Sequence, residues 1–353
     1  TAYEIRLSLV GSEMCIRDSL KREEGTRRFS EERRTKKPLF SNKVASYFEI
    51  NNDIGMVEFH SKANALDGES MKLLSDAIDH SEINHRGMVI HNDASHFSCG
   101  VNLERIADFI EICDWDGLDS FLEHFQKTVK KMKYSNIPVV SAPSGLSIGG
   151  GFEVVLHTDA SIYHANSVTG LVESLVGVVP GGGGVKEILY RWFDIKKNET
   201  EAAWKTFMNI GYGKTAQSPL QGQELAMFIE GRDEFVMNRD RLLDAAIIKV
   251  DQLKNNYSPT YRGDLSMPGR DIWQKMKEWL MDAHKKGFLT PHDVTTGTQI
   301  AMIVTGGDID EGTIMNEDDI FGLERKAFLS LAKTNETKQR IKHMLAYGKP
   351  LRN

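Results

Sequence analysis

Two glutamates, Glu153 and Glu173, lie twenty residues apart, and each is close to a run of glycines. Glu153 follows Gly149-Gly150-Gly151 in the first turn of a predicted helix. Glu173 sits among Leu171, Val172, Leu175 and Val176, ahead of the cluster 181–184. A carboxyl group among apolar neighbours is shifted toward its protonated form, and a glycine turn at a helix start presents free backbone N–H groups. Two carboxyls in unequal surroundings can divide the roles of general base and general acid. Aimed N–H groups can hold the oxyanion that forms as a carbonyl compound takes up charge. The residues point to acid/base chemistry on a carbonyl substrate.

Positioning these groups requires strands and helices in alternation. An apolar run at 137–140 reads as a strand leading into the first glycine cluster, and 160–164 as a second between the glutamates. Upstream, 46–50 and 54–59 form a predicted hairpin turning at Asn51-Asn52-Asp53, and 87–91 is a further strand. Asp67 or Ser70 can cap a helix carrying Met71, Leu74 and Ile78. Residues 97–102 form a loop around Gly100. Phe121, Leu122, Phe125, Val129 and Met132 recur at helical spacing between Asp119 and Lys133, as a core-packing face does. Beyond Gly184 the pattern is mostly helical: 191–200 reads as a polar loop, 238–253 as a helix, and 338–346 as a helix stopped by Gly348 and Pro350. Pro259, Gly263, Pro268 and Gly269 suggest a boundary, which divides the chain into 44–255 and a C-terminal helical region, 256–353.

The 353 residues suffice for a substantial core, and 40% hydrophobic with 27% charged residues is ordinary for a globular protein. A net charge of −6 gives no general attraction to nucleic acid or to an anionic membrane, and no apolar run reaches bilayer-spanning length. Three irregularly spaced cysteines, Cys15, Cys99 and Cys113, suggest a reducing cytoplasm and neither a disulfide framework nor a zinc site. Residues 17–37 hold nine basic and five acidic side chains. Such a run is expected to be a solvated helix or a disordered linker, and its interspersed glutamates argue against a nucleic-acid arm. Residues 1–19 resemble a translated sequencing-adapter peptide, so 1–43 is expected to be a non-native or disordered extension.

The stretches FSCGVNLERI (97–106), PVVSAPSGLSIGGGFEVVLHTD (138–159) and TGLVESLVGVVPGGGG (169–184) closely resemble the crotonase, or enoyl-CoA hydratase/isomerase, superfamily. The resemblance implies an α/β fold: a ββα spiral core of the ClpP/crotonase-like kind. It implies hydration of a trans-2-enoyl-CoA thioester to a 3-hydroxyacyl-CoA, with Glu153 activating water and Glu173 delivering a proton to C2. The matching oxyanion donors are the backbone N–H groups of Val101 and Gly150. Gly100 and Gly181 match further substrate- and water-holding positions, and Lys62, Asn64 and Ala65 match a loop that contacts coenzyme A. Cys99, Val101, Asn102, Phe152 and Leu171-Val172 depart from the usual residues of the pattern and bear on substrate preference. Residues 44–353 are also similar to bifunctional β-oxidation proteins in which a 3-hydroxyacyl-CoA dehydrogenase precedes a C-terminal crotonase module. This implies that the chain is a fragment, with NAD bound only by the absent half and no cofactor here. Expected partners are the acyl-CoA substrate, further copies of the chain and a thiolase subunit, with neither nucleic acid nor membrane among them.

Other readings compete. Gly145-Leu-Ser147-Ile-Gly149 fits the G-x-S-x-G elbow of serine hydrolases, but three glycines separate Ser147 from the helix and no upstream oxyanion segment is seen. Glu153 and His157 lie four apart, yet a metalloprotease motif needs a second histidine. His157 is expected to end its helix. A non-catalytic acyl-CoA-binding module would be expected to have lost a glutamate or a glycine. A double-bond isomerase can work with one acid, so two favour hydration.

Overall fold

The computed structural model describes residues 23–255 and 257–353. The adapter-like peptide at 1–19 lies outside them. The elements run α1 Phe29–Glu32, β1 Phe40–Ser41, β2 Ala45–Ile50, β3 Ile54–Phe59, α2 Gly68–Asn84, β4 Met88–Ile90, α3 Leu103–Glu111, α4 Trp115–Lys133, β5 Val139–Ser141, β6 Leu146–Ile148, α5 Gly150–Leu156, β7 Ala160–His164 and β8 Val168–Gly170. After them come α6 Gly184–Lys196, α7 Glu199–Gly211, β9 Thr215–Ala216, α8 Pro219–Glu224, β10 Glu234–Val236, α9 Leu242–Leu253, β11 Leu265–Ser266, α10 Gly269–Lys285, α11 Pro291–Thr305, β12 Ile314–Met315, α12 Glu317–Ala332 and α13 Asn335–Tyr347.

Seven strands form the main sheet in the order β1-β2-β3-β4-β5-β7-β10. The first three are antiparallel and the rest parallel, with Met56, Val89, Val140 and Ala160 in one cross-strand row. The turn between β2 and β3 places Asn51 and Asn52 at φ 50° and 65°, a region asparagine tolerates. Both faces of β3 are buried, because helices cover the sheet on each side. Tyr47 and Val57 face a large cluster shared with α2, α4 and the C-terminal helices. Phe48 and Met56 face a smaller one closed by α9. A second sheet, β6-β8-β9, crosses the site, with Ser147 opposite Thr169.

Asp67 and Ser70 together form a capping box at the start of α2, so both expected caps contribute. Helix α4 starts earlier than the stripe suggests, because the Asp114 side chain accepts from Gly117 N–H. Three expectations are corrected. Residues 191–200 are not a loop: α6 runs to Lys196, and the buried Arg191 guanidinium donates to the carbonyls of Leu156, Ala226 and Met227. The described part of the 1–43 extension is built onto the module. Phe29 is buried edge-on against Phe48, Arg27 N–H donates to the Asp240 carbonyl, and Arg33 pairs with Glu58. One aromatic in a charged run is enough to seat it. Finally, the division at 255/256 separates no core, since Ile300, Phe328 and Ile341 share one cluster with Phe125 and Phe152.

Candidate active site

The loop at 97–102 runs beside β6: Phe97 N–H donates to Ser144 O, Ser98 N–H to Leu146 O, and Ile148 N–H back to Ser98 O. At its tip Gly100 has φ 96°, and a Cβ there would lie 3.1 Å from Ile148 O, so glycine is required twice over. The Gly100 carbonyl accepts from Leu66 N–H at 2.8 Å. In a trans peptide this turns the next N–H, that of Val101, the opposite way. Gly149, at φ 53° and ψ −134°, ends β6 and starts α5, and its carbonyl accepts from Phe152 and Glu153 N–H. Gly150 is the first residue of that helix, so its N–H has no acceptor within the helix. A Cβ on Gly150 would lie 3.4 Å from Val101 N, and one on Gly100 3.5 Å from Gly150 N, so the two glycine turns are in contact.

Glu153, in the first turn of α5, is buried. Its Oε1 accepts from Gly182 and Gly184 N–H, both at 2.8 Å. Burial pushes its carboxyl up to about 7, against the opposing pull of those two N–H groups and of Lys186. Glu173 opens a single 3₁₀ turn, Glu173–Val176, and its Oε1 lies 3.1 Å from where a Cβ on Gly149 would stand. Its Oε2 is enclosed and has no hydrogen-bond partner. Burial first, and then the negative charge of Glu153, push Glu173 well above the ordinary carboxylate range. The two acids thus differ in their surroundings: Glu153 has two N–H donors on one oxygen, and Glu173 has an enclosed oxygen with none.

One cavity of about 170 Å³ is lined by Gly100, Val101, Gly150, Glu153, Glu173 and Gly181 together. Six of the nine expected site residues are thus brought together. Lys62, Asn64 and Ala65 do not line this cavity. Lys62 is exposed on the adjoining loop. Asn64 is buried at φ 51° and donates to the His96 carbonyl, and the Ala65 carbonyl accepts from Ser61 Oγ. Asn64 thereby braces the 97–102 loop from behind, as Ala63 O does by accepting from Cys99 N–H.

The far wall was not foreseen. Phe328, Ile341 and Met344, from α12 and α13, complete the cavity. Glu324 of α12 is fully buried and accepts from Gly183 N–H at 2.7 Å and Lys186 N–H at 2.6 Å. The signal for Glu324 was a charged residue on the apolar stripe Ile320, Phe321, Ala327, Phe328. Ser147 Oγ is buried without a partner, so no histidine activates it, while His284 and His292 bond to Leu289 O and Thr337 Oγ1. The elbow reading fails on that geometry. His157 does end α5, with Nδ1 at 2.7 Å from Glu153 O.

The enoyl-CoA hydratase/isomerase family model matches residues 49–211. A Bacillus subtilis (strain 168) relative named as a 3-hydroxyacyl-CoA dehydrogenase is 32% identical over 320 residues, covering 90% of this chain and 40% of its own length. A Rickettsia felis relative named as a fatty acid oxidation complex trifunctional enzyme is 26% identical over 80% of this chain and 36% of its own. The chain thus spans about two fifths of the length of these relatives. The solved structure of an enoyl-CoA hydratase from Bacillus halodurans superposes with a TM-score of 0.58 at 16% identity, covering 85% of this chain and 99% of that one, which shows a shared fold.

Proposed function

The chain belongs to the crotonase superfamily, and from that premise we propose that its site adds water across the double bond of a trans-2-enoyl-CoA thioester. One observation carries the reading: two carboxyls, one held by two backbone N–H groups and the other with an enclosed, unpartnered oxygen, share a cavity with the glycine turns at Gly100 and Gly150. The thioester oxygen lies against Val101 and Gly150 N–H. Ionised Glu153 draws a proton from water as the oxygen attacks C3, and the electrons pass through C2 to the thioester oxygen. The two N–H groups hold that enolate, and loss of one such donor typically costs about 10²–10³ in rate. Protonated Glu173 then delivers its proton to C2, and the 3-hydroxyacyl thioester is complete. Gly182 and Gly184 keep Glu153 Oε1 in place and leave Oε2 for water. Coenzyme A would leave the cavity past the 62–65 loop, where Lys62 can meet its phosphates.

The product is the substrate of a 3-hydroxyacyl-CoA dehydrogenase, the activity in the name of the B. subtilis relative. That relative's extra length supports a longer protein in which the two steps are coupled, with NAD held outside this chain. Association with further copies of the chain, and with a thiolase subunit, follows from the same reading.

The experiment follows loss of the conjugated enoyl-thioester absorbance on short and long trans-2-enoyl-CoAs, using the full chain. The expected result is turnover that collapses in both Glu153→Gln and Glu173→Gln. A folded protein that binds enoyl-CoA yet never consumes the conjugated double bond would overturn the hydratase reading.

A further inference from the structure

The N-terminus of α6 is held by two carboxylates that approach it from different parts of the chain. Glu153 Oε1 takes the N–H groups of Gly182 and Gly184, and Glu324 takes those of Gly183 and Lys186, one on each oxygen. The free donors at a helix start favour a negative charge, and here two carboxylates compete for one such site. We propose that Glu324, from α12, is a positioning residue that shares the N-terminus of α6 with Glu153 and so sets the pH at which Glu153 becomes a base. The proposal rests on the hydratase reading for its kinetic consequence and on the hydrogen bonds alone for its geometry.

Two features favour Glu324 as the partner that keeps its charge. Both of its oxygens accept an N–H, and a protonated carboxyl would have to turn an O–H into that ring of donors. Glu153 spends both of its N–H bonds on Oε1 and can take a proton on Oε2 without losing either. Burial pushes both carboxyls up, the charge of Glu153 pushes Glu324 further, well above the ordinary range, and Lys186 opposes the rise in each; the N–H on each Glu324 oxygen is what holds that carboxylate ionised against this push. The other charged groups around the pair are Glu173 on the cavity side, His157 at the end of α5, and Lys133, Glu187 and Glu317, which pair with one another or with Lys186. A fixed negative charge on Glu324 therefore raises the proton affinity of Glu153. It does so from a helix that lies outside the stretch matched by the family model.

The test compares pH–rate profiles of wild type, Glu324→Gln and Glu324→Asp. In Glu324→Gln the acid limb should move down by about one pH unit, while the basic limb, which belongs to Glu173, stays in place. Glu324→Asp keeps the charge and should restore the acid limb even where the melting temperature falls. A folded, active Glu324→Gln whose acid limb is unmoved would overturn the inference and leave Glu324 a helix cap. A second readout needs neither turnover nor a stable glutamine variant. In wild type labelled with carboxyl carbon-13 glutamate, the Glu153 resonance should titrate while Glu324 remains ionised. Glu324 protonating at higher pH than Glu153 would overturn it. Absence of wild-type turnover sinks the hydratase reading alone, since the titration still reports on Glu324.

Discussion

Two buried groups of charges lie back to back across α5 and α6, and they are built on opposite rules. On one side, Glu153 and Glu173 line the cavity and Glu324 shares the N-terminus of α6 with Glu153, and none of the three forms an ion pair with a described cation. Their partners are backbone N–H groups, and one oxygen of Glu173 has none. On the other side, Glu187 is ringed by Lys133, Lys186, Arg262 and His157, and Lys186 also pairs with Glu317. Burial raises all four glutamates, but cations reverse the sign only for Glu187, which is held well below the ordinary range. Burial thus leaves an ionised carboxylate where charges are matched and carboxyls pushed toward the protonated form where they are not.

The largest expected effect comes from removing an unmatched acid. Glu153→Gln and Glu173→Gln should each lower kcat by about 10²–10⁴ with the fold retained, as measured by turnover and circular dichroism. The same substitution on the matched side should act on stability. Glu187→Gln strands Lys133, leaves Lys186 with Glu317 alone, and should cost about 3–5 kcal/mol in denaturant unfolding. Stability against pH should separate the two regions by sign. The folded carboxyl of Glu153 is raised to about 7, so it contributes stability at low pH that is lost as pH rises toward that value. The melting temperature of Glu153→Gln relative to wild type should therefore rise between about pH 5 and pH 8. Glu187 is depressed, so its contribution is present at neutral pH and fades as pH falls below the ordinary carboxylate range. Its variant should approach wild type in acid. The smallest effect is expected at Asn102, which caps α3 at the end of the 97–102 loop by accepting from Glu104 N–H. Asn102→Ala should cost about 1 kcal/mol and leave both limbs of the pH–rate profile where they are.

Much of the site was legible because it is local. Gly100, Val101, Gly149, Gly150 and Glu153 are set by a loop, a short strand and a helix start, and turn chemistry announces each. Glu173 was readable as an acid in an apolar setting. Phe328 and Ile341 reach the cavity, and Glu324 the N-terminus of α6, from a helical region more than a hundred residues on, and helical spacing says which face is buried but not against what. Arg191 and Phe29 misled for the converse reason. A charged residue within a helix found backbone carbonyls to bond, and a lone aromatic in a charged run found a place against the sheet.

The central claim is that the carboxyl pair moves water onto the substrate. It is tested most directly by turning over a trans-2-enoyl-CoA in deuterium oxide carrying isotopically heavy oxygen and analysing the product by NMR and mass spectrometry. Solvent oxygen on C3 and one deuterium on C2, both absent with Glu153→Gln, are the predicted result. A product carrying deuterium but no solvent oxygen, with its double bond merely displaced, would contradict it.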